Sequence, residues 1–494
     1  MASLFRTKSV ERSVRETEES GHRLRKDLSA LDLVVFGVGV IVGTGIFVLT
    51  GRVAREYAGP AVAVSFVCAG VVCALAALCY AEFASTVPVA GSAYTFSYAT
   101  MGEFVAWIIG WDLILEMALG SAVVAVGWSG YFASLLAGIG LELPPSLAGE
   151  HARFNIPAVL VVLAATAVLT VGIKISSRIN ALMVAVKLAV IALVVIAGLF
   201  FVKAANYSPF IPPAQSTETV EGVRAPLIQV LFGVTPVAFG WFGVFGAVAI
   251  VFFAYIGFDV VATTAEEARD PQRDLPIGIL GSLVLCTLLY VAVSLVVVGM
   301  QHYTELSEAA PLADAFKSVG KPVFAGIISV GAIFGLTTVV LILLLGQSRV
   351  FFAMSRDGLL PQWLAKVHPR YGTPARSTML MGAVVAVLAG LIPLSALAEL
   401  VNIGTLFAFV LVSVGVLVLR RTRPDLHRAF RTPLVPLVPV LSVLGSLFVM
   451  VNLPVETWIR FFVWMLLGAA IYLAYGRRHS RLAVESEKSS RSVI

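Results

Sequence analysis

Few side chains in the long apolar stretches of this sequence can carry a charge. Glu82, Asp112, Glu116, Lys187 and Asp259 do. An ionisable group inside a bilayer is costly, so each marks binding, proton transfer or ion pairing by default. The backbone is a second chemical resource. "VGTGIFVLTG" at 42–51 interrupts one apolar stretch with Gly43, Thr44 and Gly45; "FFAYIGFD" at 252–259 interrupts another with Gly257, just ahead of Asp259. Unwinding a helix there frees N–H groups at the start of the outer half and C=O groups at the end of the inner half. The first attract an anion and the second a cation. A small zwitterion fits such a gap, and an α-amino acid is one. Close packing is the rival reading of glycine in a membrane helix. It suits Gly37 and Gly39, whereas the matching pair of interruptions favours binding for residues 43–45.

Such groups need elements that hold them at depth. The 494-residue chain is 59% hydrophobic and 13% charged, too apolar to cover a soluble core with polar surface. A spanning helix needs about 20 apolar residues. Twelve candidate spans run roughly 31–57, 61–85, 104–136, 156–173, 178–202, 243–266, 276–300, 322–354, 375–392, 396–419, 433–452 and 457–475. The runs are continuous, not alternating, which excludes a barrel. The fold class is therefore an all-α integral membrane protein. The interrupted spans open two blocks of five that enter from opposite sides, the arrangement in which broken helices point to a transporter's binding site. The expected organisation is a tail (1–27), a first five-helix repeat (28–202), an outer connection (203–242), a second repeat (243–419), two further helices (420–476) and a second tail (477–494).

Basic residues orient the spans. They crowd the first tail, the run "LRRTRPDLHRAFR" at 419–431, and "GRRHSR" at 476–481, while the alternate loops hold a scattering. Both termini are expected in the cytoplasm, in a multi-pass protein of the cell membrane. The net charge of +6 then reflects topology and an anionic inner leaflet, and nothing else supports nucleic-acid binding. No cleavable signal is expected in the polar first 27 residues. Cys68, Cys73, Cys79 and Cys286 lie within apolar spans and read as buried thiols. All six histidines fall in tails or loops, which argues against an intramembrane metal enzyme. The proline-rich connection, with "PLIQVLFGVTPVAFGWFG" in its second half, is apolar enough to lie along the membrane.

Longer motifs resemble a known family. "GVGVIVGTGIFVLTG", "CYAEFASTVPVAGSAYTFSYATMGEFVAWIIGWDLILE" at 79–116, "FFAYIGFDVVATTAEEARDPQRDLPIGI" at 252–279 and "SRDGLLP" at 355–361 resemble the amino acid–polyamine–organocation (APC) transporters. The last two look closest to the cationic amino acid transporter branch, in a bacterial version with twelve spans. The resemblance implies a LeuT-type inverted repeat of five plus five helices with helices 1 and 6 broken. It implies that N–H groups around Gly43, Thr44, Gly45 and Ile46 take a substrate carboxylate. Carbonyls at Ile41, Phe253, Ala254 and Ile256 would take the ammonium. Phe253 would also cover the substrate as a gate, unless it is ordinary aromatic packing.

The same resemblance gives the buried charges roles. Sodium-coupled relatives of the fold hold a cation between spans 1, 5 and 8. An ammonium at Lys187 would replace that ion, and because burial disfavours a charged amine it could load and release a proton. Thr337 and Thr338 are the hydroxyls expected to face it. A structural lysine on carbonyls of the broken helix is the other reading, and the two coexist. Glu116 would pair with a cationic side chain or stabilise the bundle. Leu343 would limit the pocket. Glu82 and Asp259 read as inner gating or structural groups, with Asp259 stabilising the freed N–H groups of its half-helix.

The expected function is secondary active transport of L-amino acids, cationic or small and neutral, by proton symport and alternating access. No cofactor is expected; the proton gradient is the energy source. The partners are the amino acid, protons and lipid, with a small accessory membrane subunit left open. Obligate exchange and a non-transporting nutrient sensor are the alternatives. No nucleotide-binding loop or clustered catalytic set suggests a pump or an enzyme.

Overall fold

A computed structural model describes residues 27–87, 92–150, 152–172, 177–216, 222–234, 237–369, 371 and 373–483. The basic residues of the first tail, Lys174, the side chains of Arg178 and Glu266, and residues 484–494 lie outside the described set.

Helix α1 (Ala30–Ile41) starts at a capping box in which the Ser29 N–H donates to the Asp32 carboxylate, 2.9 Å, and the Asp32 N–H to Ser29 Oγ, 3.4 Å. Two orphan donors are thus satisfied reciprocally. The helix stops because Val42 turns extended (φ −73°, ψ 91°). The chain resumes as π-helical turns Gly45–Leu49 and Ala54–Ala58 on either side of α2 (Thr50–Val53). It reverses through Gly59, at φ +58°, and Pro60 into α3 (Val62–Thr86).

Next come α4 (Ser92–Thr100), the 36-residue α5 (Glu103–Gly138), α6 (Ile156–Val171) and α7 (Ser177–Leu199). The outer connection carries α8 (Leu227–Phe232) and a two-stranded ribbon, β1 (Gln215–Ser216) antiparallel to β2 (Val237–Ala238). Helix α9 (Gly240–Val251) passes into 3₁₀ turns at Phe252–Tyr255 and Asp259–Glu267. After it follow α10 (Pro271–Met300), α11 (Pro311–Ser318), α12 (Pro322–Arg356), α13 (Ala375–Leu391), α14 (Leu394–Thr422), α15 (Leu437–Val451) and α16 (Val455–Ile471). A short α17 (Arg477–His479) follows.

Helix covers each of the twelve apolar stretches. Among the described residues, eight helical segments are long and apolar enough to cross a membrane, beside four shorter apolar helices. The protein is an all-α membrane protein.

Packing sets α5 at the centre, against α12, α14, α13 and α6. Helix α10 packs along α3 and α1, and α13 along α6. Thus stretches five places apart in chain order lie side by side: second with seventh, third with eighth, fourth with ninth. The second half of the outer connection does not merely lie along the surface. The Leu227 N–H donates to the Leu453 carbonyl and the Val455 N–H to that of Ala225, both 3.0 Å, strapping it to the α15–α16 turn. The four cysteines are free thiols. Below, the side on which α1 begins is called inner.

Candidate functional site

The gap in the first stretch leaves backbone groups in need of partners. The first bond inside the outer half runs from the Phe47 N–H to the Gly43 carbonyl, 3.3 Å. The N–H groups of Thr44, Gly45 and Ile46 precede it and are the orphan donors of a helix start. Thr44 is fully buried against Gly127 of α5, and its Oγ1 has no hydrogen-bond partner among the described residues.

The second gap faces the first. Ile256 is extended and Gly257 has φ +118°, a conformation glycine adopts without strain. The two gaps interlock. A Cβ on Gly45 would run into Ala254, and one on Gly257 into Val40, 2.6 Å from its Cγ1. Gly43 differs: a Cβ there would meet Val339 at 3.5 Å, an ordinary contact. Gly45 is therefore required first for close approach of two backbones.

Tyr290 of α10 joins the two gaps. Its hydroxyl lies 2.7 Å from the Ile41 carbonyl and 2.7 Å from the Ala254 carbonyl. One O–H carries one proton, so it serves these acceptors one at a time. The other carbonyl still wants a donor, which a substrate ammonium would supply. The Phe253 carbonyl accepts from the Ile256 N–H at 3.2 Å. Phe253 itself is buried in the 3₁₀ turn at the gap.

Lys187 on α7 is fully buried, and its Nζ donates to the Gly39 and Val42 carbonyls at 2.6 and 3.1 Å. Both belong to the end of α1, where carbonyls lack intrahelical partners. The lysine amine thus stands at the negative end of a half-helix. The expected hydroxyls of α12 do not meet it. Thr338 donates to Gly335 O, 2.6 Å, and Thr337 to Ile333 O, 2.7 Å, while Trp128 Nε1 donates to Thr337. Threonine in a helix readily satisfies itself this way. Instead α12 offers Gly335, whose missing Cβ leaves room for the lysine stem, 3.0 Å from its Cγ.

Glu116 is buried on α5. It sits in one electrostatic neighbourhood with Asp259, Asp112 and Tyr80, with Thr405 in hydrogen-bond reach. About 11 residues, roughly 16 Å of helix, separate it from the α5 position that touches Thr44. Leu343 comes between these levels, against Gly120 of α5. Asp112 is fully buried beneath Gly404, and neither of its oxygens has a partner among the described residues. The Asp259 carboxylate faces the backbone N–H groups of Gly257, Asp259 and Val260.

Glu82 anchors the inner side. Its buried carboxylate takes two bonds from Arg420 (2.9 and 2.7 Å), one from the Thr432 N–H (2.8 Å), and pairs with Arg428 at 3.3 Å. It ties α3 to the end of α14 and to the connection beyond. Arg349 pairs with Glu267 at 3.3 Å.

Tyr290 and Asp112 are site residues that sequence reasoning passed over or left without a role. Asp112 carried a signal, a carboxylate in an apolar span. Tyr290 carried none, because its partners are backbone atoms of two remote segments.

With this geometry in hand, similarity to known proteins is informative. Residues 28–472 match the family model described as amino acid permease. The chain is 47% identical to the methylthioribose transporter of Bacillus subtilis, over 98% of this chain and 100% of that protein. It is 48% identical to the branched-chain amino acid permease BcaP of the same organism, over 97% and 99%. Against the vacuolar cationic amino acid transporter 4 of Arabidopsis thaliana it is 40% identical, over 86% of this chain and 68% of that one. These proteins are transporters and not enzymes. On this evidence the chain belongs to the amino acid permease family of the APC superfamily.

Proposed function

We propose that this permease is a secondary active symporter that moves L-amino acids with protons by alternating access. The observation that carries the reading is the Lys187 ammonium on the Gly39 and Val42 carbonyls. It ties α7 to the broken end of α1 at a fully buried position, where losing a proton would remove the cation holding them together. The amino acid's carboxylate lies at the N–H groups of Thr44, Gly45 and Ile46. Its ammonium lies at the Ile41 and Ala254 carbonyls that Tyr290 bridges. Leu343, packed over Gly120 between the gaps and Glu116, supports a side-chain space that is apolar and limited. That favours small or branched neutral side chains over a guanidinium. The gap chemistry needs a zwitterion, which methylthioribose is not.

Both termini are placed in the cytoplasm, at the plasma membrane, because basic residues concentrate on the inner side. The packing of stretches five apart supports the inverted repeat of 28–202 and 243–419. Purified protein in liposomes tests the reading: labelled leucine, alanine and lysine uptake is compared with and without an inward proton gradient. Accumulation driven by the gradient supports symport. Uptake that needs counter-substrate and ignores the gradient replaces it with exchange, and no flux under any condition leaves a sensor.

A further inference from the structure

A cleft of about 570 Å³ lies on the inner side between the first turns of α10 and the α14–α15 connection, away from the gaps. Its walls are apolar: Pro276, Ile277 and Leu280 on one side, Ala429 and Phe430 on the other. Arg273 stands at its mouth, one helical turn before Ile277. Its guanidinium is exposed and has no protein partner among the described residues.

Depth follows from the helix. Ile277, Val284 and Leu288 are exposed apolar residues on one face of α10, spaced by two turns and then one. That face meets acyl chains, so Arg273, below its end, sits at headgroup level. The opposite wall is prebuilt. The Phe430 N–H donates to Ser85 Oγ at 3.3 Å, and Arg428 and Thr432 on either side are held by Glu82. Exposed Arg431 belongs to the same connection, and exposed Arg421 to the last turn of α14 just before it. Asp270 is also at the rim, where its carbonyl takes the Arg273 and Asp274 N–H groups. An apolar slot with Arg273 at its mouth and Arg421 and Arg431 flanking it, against the single Asp270 carboxylate at the rim, matches an anionic amphiphile at the membrane edge, since basic pockets between helices select such headgroups.

We propose that this cleft binds one anionic phospholipid, with its acyl chain along Pro276, Ile277 and Leu280 and its phosphate at Arg273. Placing it in the inner leaflet rests on the proposed orientation; the binding does not. The lipid would rest on α10, which continues directly from the inner half of the second broken helix, and on a wall fixed to α3. It would brace the one against the other.

Native mass spectrometry of the full chain in detergent tests this, titrating phosphatidylglycerol against phosphatidylcholine. One phosphatidylglycerol is expected to be retained in preference. Arg273→Gln should weaken retention about fivefold, the contribution of one surface basic residue. Ala429→Trp should abolish it by filling the slot. Ile277→Trp fills it from the other wall, so a folding defect in one variant leaves a second reading. Soluble glycerophosphoglycerol should fail to compete. Equal retention of both lipids would overturn the proposal, as would competition by the soluble headgroup. So would undiminished phosphatidylglycerol binding in a folded tryptophan variant.

Discussion

Gly45 rests on Ala254 with no room between them for a Cβ. The contact joins the outer half of the first broken helix to the 3₁₀ turn of the second. It turns two interruptions into one site, because orphan N–H groups of one segment are held beside carbonyls of the other.

Gly45→Ala is expected to destabilise the protein by about 1–3 kcal/mol through overpacking and to abolish uptake. Gly43→Ala, with ordinary space around it, should stay near wild type in stability. Thermal unfolding in detergent and liposome uptake of the pair check this. Equal tolerance of both would show that the contact is not limiting.

Lys187→Met should leave the Gly39 and Val42 carbonyls without their donor. Gradient-driven accumulation is expected to collapse to equal concentrations on both sides, while counterflow survives. Accumulation unchanged from wild type would sink the lysine's coupling role.

Tyr290→Phe removes the single proton shared by Ile41 and Ala254. Leaving a buried acceptor unsatisfied costs about 1–3 kcal/mol, so the melting temperature should fall. If these carbonyls receive the substrate ammonium, the apparent KM should change as well. A loss of stability with unaltered KM would confine Tyr290 to structure.

Glu82→Gln removes a charge that serves Arg420 and the buried Arg428 together. Breaking a buried pair from one side costs about 3–5 kcal/mol. The expected result is poor yield of folded protein, read by size-exclusion chromatography and thermal unfolding. Arg428→Gln alone should be milder, since Arg420 still neutralises Glu82.

Leu343→Ala widens the space over Gly120. A few methyl groups in an apolar pocket are worth about 1–3 kcal/mol in discrimination, so competition assays should show a shift toward bulkier side chains. Glu116→Gln, beside Asp259 and about three turns of α5 from the level of Thr44, should leave the leucine–lysine preference unchanged. A changed preference would return Glu116 to the side-chain pocket.

Glycine spacing made the two gaps legible, because glycine in a lipid-facing span has few uses. It did not separate Gly43 from Gly45, since which glycine meets a neighbour depends on how two helices dock. The burial of Lys187 followed from its surroundings, but its contact on α12 did not: Gly335 presents no group to notice, whereas the threonines drew attention and then bonded their own helix. The Glu82 cluster joins residues some 340 positions apart, beyond any local pattern.

The interlock of Gly45 on Ala254 and Gly257 on Val40 has an evolutionary consequence. Four positions in two distant segments share one size constraint, so none can drift alone. Ala254→Val should be as damaging as a side chain at Gly45. Enlarging both partners should cost little more than enlarging either, since the first already forces the backbones apart. The two broken helices are in that sense a single inherited unit, although some 200 residues of chain lie between them.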